Sequence, residues 1–265
     1  MWTTTDSVTS ADGTRIVFHT IGDGPPLVIV HGALVTTEMY QQLAELLATD
    51  YRVVLVARRD YEPSGNSTGP RTFTRQVDDL AAVLERQDGP SFVFGHSAGG
   101  LVTLEALAAG VPNIRRFALY EAPLAFAGGP LRPTLDRARE LVADQPAEAV
   151  TEFFRAISDP PLPDRILRLM GETMAFRATG LVADLECLAA MDPDPSRWSA
   201  TTTPALLLAG SASDRYGLES MEKLHTALPD SRLTVLDGLA HHPDDFTSVA
   251  AALREFFGPD TGSGS

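Results

Sequence analysis

The chain has 265 residues, 44% of them apolar, and carries 35 acidic against 21 basic side chains, a formal charge of −14. That balance repels phosphate backbones and anionic lipid, so neither nucleic acid nor a membrane is an expected partner. The one cysteine, Cys187, excludes an internal disulfide and any Cys-rich metal centre. The chain start has no basic-then-apolar leader pattern and no stretch is as apolar as a membrane span, so a cytoplasmic protein is expected. The cations are scattered and all but Lys223 are arginine, a skew of GC-rich bacterial genomes rather than of a binding surface.

In chain order, residues 8–18 open with two β-rich segments joined by Asp12-Gly13, a hairpin turn. Short apolar runs follow at 27–30, 53–56, 92–94, 117–120, 205–209 and 233–236. Continuous apolar runs mark strands buried on both faces, hence a parallel sheet. Helical periodicity fills the intervals, at 39–48, 77–84 and 218–228. Strand alternating with helix predicts a doubly wound α/β sheet. From 123 to 203 the alternation stops. Helical stretches near 135–143, 147–157, 165–178 and 181–191, separated by proline-rich breaks, predict an all-helical insertion. The expected division is a core of residues 1–122 and 204–258, an insertion of 123–203 and a flexible tail of 259–265.

Gly95-His96-Ser97-Ala98-Gly99 directly follows the 92–94 strand and opens a helix. Strand, sharp turn and helix is the context that exposes a nucleophilic serine. The flanking glycines meet a steric demand there, because the turn presses chain against chain. A helix N-terminus beside Ser97 offers N–H groups and positive potential to a developing oxyanion. His31-Gly32-Ala33 ends a neighbouring strand, so the N–H groups of Ala33 and Ala98 are the expected oxyanion donors. His31 itself reads as a structural hydrogen bonder.

With these pieces, and with the 204–210 strand and Gly238-Leu239-Ala240-His241 near the end, the chain resembles the α/β-hydrolase superfamily. The resemblance implies a mostly parallel eight-stranded sheet, helices on both faces, a helical cap in the place of the insertion, and the order serine, acid, histidine. His241 follows the last strand and is the expected base; His242 flanks it, and His225 lies in a helical pattern. Asp214, in the loop after the 205–209 strand, is the expected acid, with Glu121 after the preceding strand as the alternative. Leu34, His96, Glu121, Phe126, Phe153 and Met174 are expected to line the substrate pocket, with Phe154, Met170 and Phe176 as further apolar candidates from the insertion.

The segment 57–67 departs from the family pattern D-x-R-G-x-G-x-S: Ala57 replaces the aspartate, and Asp60 and Glu62 replace glycines. Either a local salt network or polar substrate contacts would explain the change. The implied activity is cofactor-free and metal-free hydrolysis of an ester, thioester or lactone of a small apolar molecule. A lyase, cyclase or carbon–carbon hydrolase tailoring a secondary metabolite is the alternative.

Overall fold

The computed structural model describes residues 2–258, and the expected tail, 259–265, lies outside the described residues. Eight strands form one sheet in the order β1-β2-β4-β3-β5-β6-β7-β8. They are β1 (Thr4–Thr9), β2 (Arg15–Ile21), β3 (Pro26–Val30), β4 (Arg52–Val56), β5 (Ser91–His96), β6 (Ile114–Tyr120), β7 (Ala205–Gly210) and β8 (Ser231–Leu236). β1 and β2 pair antiparallel through the Asp12-Gly13 turn, β2 pairs antiparallel with β4, and the other neighbours are parallel.

The apolar runs alternate between two cores, as period-two side chains must. Leu27, Ile29, Phe92, Phe94, Leu206 and Leu208 pack beneath α1 (Gln41–Leu47) and α9 (Thr247–Phe257). Val28, Val30, Val93, Phe117, Leu119 and Leu207 face the other way, toward α2 (Phe73–Glu85), α3 (Ala98–Ala108) and the later α8 (Arg215–Ala227). β5 and β7 are buried along their whole length, which is why they read as continuous apolar runs.

Between β6 and β7 the described residues hold helices and no strand: α4 (Arg132–Leu141), α5 (Pro146–Ile157), α6 (Asp164–Met174) and α7 (Ala178–Ala190). The expected single helix over 165–178 is broken, because α6 stops at Met174 and the turn Ala175–Arg177 redirects the chain into α7. Apolar spacing continues across that turn and so does not report the change of axis. Among the described residues, no helix is long and apolar enough to cross a membrane.

Candidate active site

The parallel strands end along one sheet edge, and the candidate residues come from the turns that leave it. Ser97 sits between β5 and α3 at φ 52°, ψ −125°, outside the regions a non-glycine residue ordinarily occupies. The close approaches explain the flanking glycines. A Cβ on Gly99 would stand 2.1 Å from the Val30 carbonyl oxygen, and one on Gly95 would stand 2.7 Å from the Gly100 Cα. Gly32 is required for the same reason, since its Cβ would meet that of Ser97 at 2.9 Å.

His241 faces Ser97, with Nε2 3.1 Å from Oγ. On the other side of the ring, Nδ1 lies 2.7 Å from Oε2 of Glu121. Glu121 is only 1% exposed, follows β6 directly and has φ 48°. Its second oxygen accepts from the Gly210 N–H at 2.7 Å and the Ser213 hydroxyl at 2.6 Å. The carboxylate is thus fixed on both oxygens, leaving one edge for the imidazole. This arrangement holds His241 with Nδ1 protonated and Nε2 free to accept the Ser97 proton.

Asp214, the acid expected first, is not in this line. Its carboxylate caps α8, accepting from the Tyr216 N–H at 2.9 Å and the Gly217 N–H at 3.3 Å. It borders the cavity beside Ser97, but the hydrogen bond to His241 belongs to Glu121. Apolar spacing starts the helical pattern at 218, whereas α8 begins at Arg215, so the capping position of Asp214 is not apparent from periodicity. His225 is remote, with its Nδ1 2.9 Å from the Ser231 hydroxyl.

Ala98 is the first residue of α3, whose opening N–H groups have no acceptor within the helix. Ala33, Ala98 and Ser97 line one cavity of about 280 Å³ together with Leu34, Glu121, His241 and His242. The insertion contributes Leu131, Phe153, Phe154, Met170, Met174 and Leu185 to its walls, and the turn after β6 adds Phe126. Phe176, by contrast, is 73% exposed and lies along a separate cleft.

His96 is a correction. It does not line the cavity but points behind it, hydrogen-bonded through Nδ1 to the Tyr40 hydroxyl and through Nε2 to the His241 carbonyl at 2.8 Å. Alternation along β5 puts His96 on the face of Phe92 and Phe94, where Tyr40 packs, and Ser97 leaves the strand in the turn that follows. Burial, with His241 and His242 nearby, lowers its basicity well below that of an ordinary histidine. Tyr120 completes the support by donating to the Ala240 carbonyl at 2.7 Å. Sequence patterns had given no role to Tyr40 or Tyr120, which look like ordinary core aromatics.

His31 is also structural. Nδ1 donates to the Gly32 carbonyl at 2.7 Å and Nε2 accepts the Arg58 N–H at 3.0 Å. Burial, reinforced by the Arg58 charge, pushes its pKa down to about 3. The unusual 57–67 segment forms ion pairs: Arg58 with Asp184 at 2.7 Å, and Arg59 with Asp79 at 2.6 Å and Asp12 at 2.9 Å. Asp60 accepts from the Ser67 N–H and hydroxyl. Asp60 and Glu62 border the separate cleft with Phe176, not the Ser97 cavity. No group of three or more His, Cys, Asp or Glu among the described residues is placed to hold a metal ion.

A serine on a strand-to-helix elbow, facing a histidine backed by a carboxylate on a mostly parallel sheet, defines an α/β-hydrolase type of protein. The chain belongs to the alpha/beta hydrolase family, whose family model matches residues 27–253. An alpha/beta hydrolase from Sphaerobacter thermophilus is 30% identical with a TM-score of 0.84, over 96% of this chain and 100% of that one. A pimeloyl-[acyl-carrier protein] methyl ester esterase from Xanthomonas campestris is 28% identical over 251 residues, 89% of this chain and 96% of that protein. An esterase from Rhodococcus sp. shares the fold, with a TM-score of 0.73 at 24% identity over 95% of this chain and 98% of that one.

Proposed function

We propose that this chain is a cofactor-free serine hydrolase that cleaves a carboxylic ester, thioester or lactone of a small, neutral, apolar acyl group. The observation that carries the reading is the hydrogen-bonded line Ser97–His241–Glu121 opening onto the apolar cavity. In this reading Ser97 Oγ bonds to the substrate carbonyl carbon while its proton passes to His241 Nε2. The carbonyl electron pair moves to oxygen, which the Ala33 and Ala98 N–H groups receive. Collapse expels the alcohol or thiol, which takes the proton from His241, and water then repeats the sequence on the acyl-enzyme. Glu121 holds the imidazole and balances its transient charge.

The helical insertion serves as a cap that supplies the acyl pocket. Among the described residues lining that pocket there are three carboxylates, Glu121, Asp184 and Asp214, and no lysine or arginine. A negatively charged acyl chain would enter with no partner for its charge, which is costly in an apolar cavity. The relative from Xanthomonas is named for a methyl ester, which is compatible with a small leaving group here. Lyase or carbon–carbon chemistry would draw on the unusual 57–67 segment for polar substrate contacts, and Asp60 and Glu62 stand outside this cavity. No observation favours that reading over hydrolysis.

The test is labelling with a fluorophosphonate, read by intact mass and peptide mapping, beside turnover of 4-nitrophenyl acyl esters. The expected result is one adduct on Ser97 and loss of both labelling and turnover in Ser97→Ala. An acyl chain ending in a carboxylate should react at least about tenfold more slowly than the neutral chain of equal length. Undiminished turnover by Ser97→Ala would sink the proposal.

A further inference from the structure

The segment Gly32-Ala33-Leu34 is pinned on both sides of the Ala33 N–H. The Gly32 N–H donates to the Tyr40 hydroxyl at 3.2 Å, and the Leu34 N–H donates to the Tyr61 hydroxyl at 3.2 Å. The Gly32 carbonyl receives His31 Nδ1 at 2.7 Å and Arg58 Nη2 at 3.1 Å. Arg177, in the turn before α7, donates to the Leu34 carbonyl. The Gly32 carbonyl and the Ala33 N–H belong to one peptide plane and point in opposite directions. Whatever fixes the carbonyl therefore aims the N–H, and a cation on the oxygen strengthens the N–H as a donor.

That cation is held from the insertion. The Arg58 guanidinium is bidentate on Asp184 of α7 at 2.7 and 2.8 Å, and both side chains are 4% exposed. Tyr61 donates to the same carboxylate at 2.6 Å, and Gln76 accepts from Arg58 at 2.7 Å. α7 is cut to fit: a Cβ on Gly180, one turn before Asp184, would lie 2.6 Å from the Tyr61 ring. One turn further on, Cys187 receives Gln76 at 3.5 Å. Gly180, Asp184 and Cys187 form the stripe by which α7 docks on the core. A buried ion pair of this geometry adds little net stability, so stability alone does not account for it.

We infer that Arg58, clamped by Asp184, is a positioning residue that aims and polarises the Ala33 N–H, so that seating of the helical insertion sets the strength of the oxyanion site. The inference rests on the hydrolase reading above. Its signature is loss of transition-state binding with ground-state binding preserved.

The experiment compares wild type with Arg58→Gln, Arg58→Lys, Asp184→Asn and Tyr61→Phe. It reads kcat and KM on a 4-nitrophenyl ester and the inhibition constant of an alkyl trifluoromethyl ketone. That ketone accepts Ser97 Oγ at its carbonyl carbon, places an oxyanion in the site and leaves the proton on His241. Arg58→Gln should lower kcat about 10- to 100-fold, with KM within about threefold, and weaken the ketone in proportion. Arg58→Lys should recover part of that loss by keeping a cation, and Asp184→Asn should fall between. Should Arg58→Gln fail to fold, Arg58→Lys and Tyr61→Phe still decide, because each must lose kcat and ketone affinity together. Folded variants with wild-type kcat and ketone affinity, or a loss confined to KM, overturn the inference while wild-type turnover keeps the hydrolase reading. A wild-type protein that neither hydrolyses esters nor takes the fluorophosphonate overturns both.

Discussion

At the scale of single residues, two acidic side chains lie at adjacent strand ends and do different things. Asp214 caps a helix; Glu121 holds an imidazole. Glu121→Gln should therefore lower kcat about 10³- to 10⁴-fold, because the amide no longer holds the Nδ1-protonated form. Asp214→Ala should cost about 1 kcal/mol of stability through the lost cap and leave kcat within a few-fold. Steady-state kinetics and urea midpoints on both variants check the pair, and reversal of the two phenotypes would contradict the assignment. The sequence left this choice open for a physical reason. β6 and β7 are neighbours, so the turns after both reach the same side of His241. Ser97 and His241 were legible because their local contexts are strict, an elbow of glycines and a loop after the last strand. The partner of His241 depends on a backbone detail, the positive φ of Glu121, that apolar patterning does not encode. His96 lies outside the pocket because its parity along β5 is that of Phe92 and Phe94, on the Tyr40 face.

At the scale of elements, the site depends on how tightly α3 is pulled against β3. Gly99 lets the helix start pass across the Val30 and His31 carbonyls, with 2.1 and 2.6 Å to a hypothetical Cβ. Those atoms are backbone and cannot swing aside. Gly99→Ala should displace the first turn of α3, and with it Ser97 and the Ala98 N–H. The expected cost is on the order of 3 kcal/mol. For a domain of this size that is a drop in Tm of roughly 6–12 °C. Differential scanning calorimetry measures the shift, and kcat should fall in the fraction that remains folded. A variant with unchanged Tm would mean that α3 and β3 are less closely fitted than described. The strands themselves were readable from apolar runs, because each buries both faces. The α6–α7 break was not readable, since its apolar positions keep helical spacing through the turn. Its purpose lies in a distant contact, the seating of Gly180 and Asp184 on the 57–67 segment.

At the scale of the whole molecule, charge and buried histidines pull in opposite directions as pH falls. A chain at −14 repels itself at neutral pH, so protonating its surface carboxylates relieves strain. His31 and His96 act the other way. Both are buried and kept neutral, His31 with a pKa near about 3 and His96 well below the usual value, by burial first and nearby positive charge second. In the unfolded chain each histidine takes up a proton near pH 6.5. The folded pKa is depressed, so their contribution is complete above pH 6.5 and is lost as pH falls from 6.5 toward the folded values. These two rings alone should make stability fall by about 2–3 kcal/mol per pH unit between pH 6 and 5. His242, pushed down to about 3 by desolvation and by His241 beside it, acts in the same direction. Urea unfolding at pH 7, 6 and 5 measures the slope. His31→Gln should flatten it by about one proton, because the amide can still meet the Gly32 carbonyl and has nothing to titrate in this range. A flat profile for wild type would mean that relief of surface repulsion outweighs the buried rings, and an unchanged slope in the variant would mean that His31 is not kept neutral by the fold. The rings hold the two loops that carry Ala33 and His241. The same protonation that costs stability should therefore release the site first, with activity lost reversibly at a higher pH than global unfolding, as turnover and urea unfolding over the same pH series would show.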